Sequence, residues 1–164
     1  MKRIVALFML LGAVALADTA PGWLLIEEAV AAETARPQIT VVHFWAPWCP
    51  NSTAEFARDG WNTVISSHPK VRFIFVTVRS ADDGKAMLAG HGLGAQPNLT
   101  LLHHPNYIRK GEGSIQSFMD IPLSWVPSTW IFREGKLCYA LNYGEVSFPM
   151  LQQLIRDTAD NWEH

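Results

Sequence analysis

The sequence predicts an α/β protein built on a mixed central sheet with helices on both faces, and three observations predict it. Two segments, Ile39 to Trp45 and Val71 to Val78, are nearly continuous runs of β-branched and aromatic residues, the composition of buried strands. Segments of helical character alternate with them, which is the order of parallel crossover units. Near the end, two further strand-like segments flank a turn containing Gly135, a hairpin that adds antiparallel strands. A length of 164 residues suits one such domain.

Taken in order, Trp23 to Ala35 (WLLIEEAVAAETA) reads as a helix with an apolar stripe at Leu24, Val30 and Ala31, closed by Pro37. Ile39 to Trp45 is the central strand. A helix starts near Cys49, with Pro50 at the first helical position, where a missing N–H costs nothing, and Pro69 past its end. Val71 to Val78 is the second strand, Ala81 to Gly90 a short helix, and Leu99 to Leu102 a short strand. The stretch from Asn106 to Trp125 reads as loop with a helical turn. Ser128 to Phe132 and Lys136 to Leu141 form the hairpin around Arg133-Glu134-Gly135. Phe148 to Trp162 closes the chain, with Met150, Leu151, Leu154, Ile155 and Trp162 at helical spacing. No repeat or low-complexity tract marks a domain boundary.

Composition narrows the functional class. A formal charge of −2 lacks the electrostatic footprint of a nucleic-acid binder, and two cysteines cannot form a miniprotein's disulfide framework. At the start, Lys2 and Arg3 precede the apolar run Ile4 to Leu16, and Ala15-Leu16-Ala17 offers a small-x-small cut before Asp18. That run falls short of the about 20 residues of a membrane span. Residues 1–17 are therefore expected to be a signal peptide and 18–164 the mature domain, with an uncleaved anchor as the alternative. The destination is an oxidising compartment, a bacterial periplasm or the exterior.

Chemistry is most legible at Phe44-Trp45-Ala46-Pro47-Trp48-Cys49-Pro50-Asn51-Ser52. A buried strand runs into a turn, a cysteine ends the turn, and a helix begins. Unsatisfied N–H groups at a helix start favour an anion, and the thiolate is the nucleophile of disulfide exchange. Trp48 and Pro47 offer an apolar rim to an extended chain.

This segment resembles the FWAxWCxxC signature of the thioredoxin superfamily, and more closely that of its secreted TlpA/ResA-like thiol–disulfide branch. Trp125-Val126-Pro127-Ser128-Thr129-Trp130-Ile131-Phe132, followed by Gly135-Lys136, resembles the family's cis-proline segment and hairpin. The resemblance implies a thioredoxin-like fold with a small central insertion, catalysis at Cys49, and substrate contacts at Trp48, Pro50, Val126 and a cis Pro127. No cofactor and no metal are implied. Glu55 falls where such proteins often carry a glutamate, and reads here as an exposed helix residue, with a role in tuning the thiol as the alternative.

One position departs from the pattern. Ser52 stands where the family has its second redox cysteine, so the motif is Cys-Pro-Asn-Ser. A dithiol resolves its own mixed disulfide; a single thiol needs an external thiol from a protein or a small molecule. The expected function is thus monothiol reductase- or isomerase-type exchange with a thiol or disulfide partner. The alternative is a non-redox, chaperone-like binding module. Ser52 is placed to donate a hydrogen bond to the Cys49 sulfur.

His43 occupies the place of the buried acid of thioredoxin. It carries two readings, a proton carrier beneath the thiol or a core histidine bonded to backbone. His103-His104-Pro105 raises a metal site, above all for copper with Cys49 as a soft ligand. Adjacent histidines on an extended chain face opposite ways, however, which favours a solvated loop. Cys138, just past the hairpin turn, reads as a buried thiol remote from Cys49. Pairing with Cys49 or with another chain are the alternatives.

Overall fold

The computed structural model describes residues 22–78, 81–106, 115–142 and 146–161. The signal-peptide expectation for residues 1–17 and the Trp162 position lie outside them. Five strands form one sheet: β1 (Ile39–Trp45), β2 (Arg72–Val78), β3 (Leu99–His104), β6 (Ser128–Arg133) and β7 (Lys136–Leu141). Their order is β3-β2-β1-β6-β7. β1 runs parallel to β2 and antiparallel to β6, and β2 runs parallel to β3, so the sheet is mixed. The helices are α1 (Leu25–Thr34), α2 (Pro50–Phe56), α3 (Gly60–Ser67), α4 (Ala81–Gly90) and α5 (Phe148–Asn161). No helix among the described residues is long and apolar enough to cross a membrane.

The central strand feeds two cores. Successive side chains of a strand point to opposite faces, so Val41 and Trp45 join Phe56, Trp61, Phe75 and Ile155 on one side. Val42, Phe44 and Ala46 join Val30, Phe118, Leu123, Trp130 and Cys49 on the other. This double burial is why ITVVHFW carries no polar alternation.

Three elements differ from the sequence reading. The helix expected from Cys49 onward is two helices, because Asp59 takes a left-handed conformation (φ 53°) and breaks it before Gly60. The close packing of Gly60 against Phe148 leaves no room for a side chain there; an added Cβ would stand 2.1 Å from the Phe148 ring. Of the stretch expected to be loop with a helical turn, residues 107–114 lie outside the described residues, and the part leading to Trp125 holds a two-stranded ribbon, β4 (Ser117–Phe118) and β5 (Ile121–Pro122). Its turn residues Met119 (φ 52°) and Asp120 (φ 60°) both lie in the left-handed region, the signature of a two-residue hairpin turn. Glu27 secures it: Oε1 accepts the Met119 N–H at 2.7 Å while Oε2 accepts the Leu24 N–H at 2.8 Å.

Cys138 is the third. The β6–β7 ladder pairs Ile131 with Tyr139 but Phe132 with Leu137, which leaves Cys138 as the extra residue of a bulge. It is half-buried on an edge strand, not enclosed in the sheet, and its Sγ donates to the Lys136 carbonyl at 3.6 Å. Among the described residues neither cysteine forms a disulfide.

Candidate active site around Cys49

β1 delivers the chain to the site, and the turn after it ends at Cys49, the residue preceding the first turn of α2. Pro50 takes the first helical position and is exposed, as a residue without an N–H can be there. The Cys49 N–H donates to the Ala46 carbonyl at 3.0 Å and closes the turn. Across the gap, the segment leading into β6 brings the Val126 carbonyl to the thiol, and Sγ donates to it at 3.4 Å. The Val126–Pro127 peptide bond is cis. Val126 is half-buried and the Pro127 ring is buried, so this segment presents main chain at the rim.

Cys49 itself is only 9% exposed, yet it is bracketed by the two most exposed tryptophans among the described residues. Trp48 on one side is 41% exposed and Trp125, next to Val126, is 56% exposed. Trp125 was not singled out by the sequence reasoning. Its signal was available, since a large aromatic ahead of Val-Pro at a loop has no core to enter.

Ser52 does not bond to Cys49. It is fully buried, and its Oγ accepts the Ala46 N–H at 3.3 Å, because α2 turns this side chain under the preceding turn. The hydroxyl therefore braces the loop that carries the thiol.

Beneath α2 lies a buried polar cluster. Glu55 is 1% exposed, which corrects the expectation of a solvated helix glutamate. Ser52, Glu55 and Phe56 share the inner face of α2, as residues three and four apart must. Its Oε1 accepts the Val146 N–H at 2.6 Å and its Oε2 accepts the Trp61 indole N–H at 3.3 Å. The carboxylate thus ties α2 to α3 and to the segment entering α5.

His43 lies against the same carboxylate. Its Nε2 is 3.2 Å from Glu55 Oε2, close in distance but not aligned as a hydrogen bond, and its Nδ1 is 2.9 Å from Thr129 Oγ1. Trp61 and Phe75 enclose the ring, with centroids 4.5 and 5.0 Å away. Complete burial penalises the imidazolium and pushes the His43 pKa down to about 3. A ring held neutral in this way takes up no proton near neutral pH. Among the described residues it makes no hydrogen bond to Cys49 or Ser52. The geometry favours the core reading of His43, with a threonine hydroxyl in place of the expected backbone partner.

His103 and His104 lie on β3, not in a solvated loop. His103 is exposed and His104 is buried, the opposite orientations expected of neighbours on a strand. The His104 Nδ1 accepts the Asn106 N–H at 3.1 Å, and burial lowers its pKa.

The sheet order, the cysteine at the end of β1 and the facing Val126-Pro127 segment define a thioredoxin fold. No protein-family profile and no curated sequence matches the chain. Solved structures do. A secreted Mycobacterium tuberculosis disulfide oxidoreductase homologous to E. coli DsbE has a TM-score of 0.56 and 23% identity, over 76% of this chain and 84% of that one. A thioredoxin-family thiol:disulfide interchange protein from Chlorobium tepidum has a TM-score of 0.57 and 16% identity, over 76% and 82%. StoA from Bacillus subtilis has 0.52 and 17%, over 73% and 83%. The first of these is described as a disulfide oxidoreductase and the second as a thiol:disulfide interchange protein of the thioredoxin family, and at such identities the likeness establishes the fold of this chain.

Proposed function

We propose that the protein is a secreted or periplasmic thioredoxin-fold protein that carries out thiol–disulfide exchange through one nucleophilic thiol, Cys49. The observation that carries this reading is the seat of Cys49. The thiol sits at the rim against the Val126 carbonyl, with Trp48 and Trp125 exposed on either side. An extended client can lie across Val126 with its apolar side chains on the two indoles, as chains recognised through main-chain groups do.

The Cys49 thiol gives its proton to solvent and the thiolate attacks one sulfur of a client disulfide. A Cys49–client disulfide forms, and the other client sulfur leaves as a thiolate that takes up a proton. With Ser52 in place of a second thiol, release needs an external thiol, or a second thiol of the client. Its thiolate attacks the client sulfur, a new disulfide forms there, and Cys49 departs as thiolate. The protein ends the cycle in the state in which it began. Ser52 braces the Ala46–Cys49 turn, while exposed Pro50 shapes the surface beside it and buried Pro127 backs Val126.

A second reading has its own support. The buried Ser52–Ala46 hydrogen bond makes position 52 a structural one, as suits a fold that holds a partner without turnover. One experiment separates the two. The mature protein is mixed with a peptide disulfide and the adduct sought by intact mass. Exchange predicts a mixed disulfide at Cys49 that accumulates without added thiol, disappears when thiol is supplied, and is self-resolving in Ser52→Cys. A Cys49 that forms no adduct, in a protein whose Cys49→Ala variant still binds a partner, establishes the second reading instead.

A further inference from the structure

We propose that the end of the sheet remote from Cys49 carries a binding site for a small organic anion with an apolar body. A cleft of about 380 Å³ opens there, between the starts of β1 and β2, the end of β6 and the outer turns of α5. Three cations line it: Lys70, Arg133 and Arg156. None of them makes an ion pair with a described residue. Arg133 donates to the Thr158 carbonyl at 2.9 Å and Arg156 to Gln153 Oε1 at 2.7 Å, both uncharged partners. Glu134 is the one carboxylate at the edge, and it pairs with none of the three.

The chain as a whole holds 15 acidic against 13 basic residues, so three cations against one carboxylate around one concavity, with no ion pair to a described residue, run against its charge balance. Like charges gathered at low-dielectric walls focus a positive potential into the cleft. Guanidinium groups meet carboxylate or phosphate oxygens in a paired geometry. Ile39, Val71 and Ile155 form the apolar part of the cleft's walls, so the ligand brings apolar surface as well as charge. Apolar walls with a few placed polar groups, at this volume, are the usual form of a small-molecule site. The seven residues of β1, at about 3.3 Å each, keep it some 20 Å from the thiol. Site and exchange chemistry therefore stand or fall separately.

The test titrates the mature protein with phenyl phosphate, followed by calorimetry and backbone amide shifts. One site is expected, of about millimolar affinity or better, with shifts centred on Val71, Arg133 and Ala159 and none at Cys49. A Lys70→Gln/Arg156→Gln variant, altered only at exposed side chains, is expected to keep its melting temperature and bind about tenfold more weakly or worse. Benzyl alcohol, which lacks the charge, is expected not to bind, and inorganic phosphate, which lacks the ring, to bind more weakly. No saturable binding of phenyl phosphate overturns the proposal, as does affinity unchanged in the variant. Equal binding of inorganic and phenyl phosphate overturns the apolar half of it and leaves an adventitious ion only.

Discussion

Glu55 gathers more of the site's architecture than any other single side chain. Its two oxygens satisfy the Val146 N–H and the Trp61 indole and stand beside His43. Removing a buried acceptor leaves its donors unsatisfied. Glu55→Ala is therefore expected to lose about 2–4 kcal/mol of stability in urea unfolding, and Glu55→Gln to recover part of it. At this scale the sequence was half legible. Cys49 stood out because the turn, the helix start and the flanking tryptophan coincide in a few adjacent residues. Glu55 did not, since its burial depends on which face of a seven-residue helix turns inward, and so on Trp61 in the next helix and on Val146, 91 positions along the chain.

Among the elements, the buried strands were legible because their burial on both faces leaves an unmistakable run of apolar residues. The ribbon from Ser117 to Pro122 was not. Met119-Asp120 lacks the Asn-Gly or Asp-Gly pattern that marks such turns, and what holds the left-handed pair is a carboxylate of α1. The turn is thus imposed by a tertiary contact. Glu27→Ala is expected to cost about 1–3 kcal/mol, by freeing the Met119 N–H and opening the α1 start. Amide exchange at Met119 should accelerate well before that of β1; protection equal to the parent protein's would show that the ribbon holds its own turn. The break between α2 and α3 did leave a signal, since Asp59-Gly60 is a turn dipeptide.

For the molecule as a whole, the enclosed imidazole couples folding to acidity. His43 is neutral in the fold down to about pH 3, whereas an unfolded histidine takes up a proton near 6.5. Between those values the unfolded chain binds the extra proton, so stability falls as pH drops from about 6.5 toward 3 and is level above. Other groups titrate in that window, so the informative quantity is the difference from His43→Asn, whose acid limb should be shallower. Unfolding curves of equal acid slope would remove this role. The pH profile of Cys49 alkylation should be the same in the two proteins, because the ring stays neutral and makes no bond to the thiol.

The contact between Cys49 and Val126 spans 77 positions of the chain. It is gauged by the β1–β6 ladder, in which Phe44 sits opposite Ser128. Contacts this distant in sequence form late, after loop closure has been overcome. During synthesis, the thiol therefore emerges long before the carbonyl that seats it. For that interval Cys49 is an open sulfhydryl on an unfinished chain, and whatever oxidant or thiol it meets first reaches it unshielded. The same separation that builds the site sets a vulnerable period in the protein's own maturation.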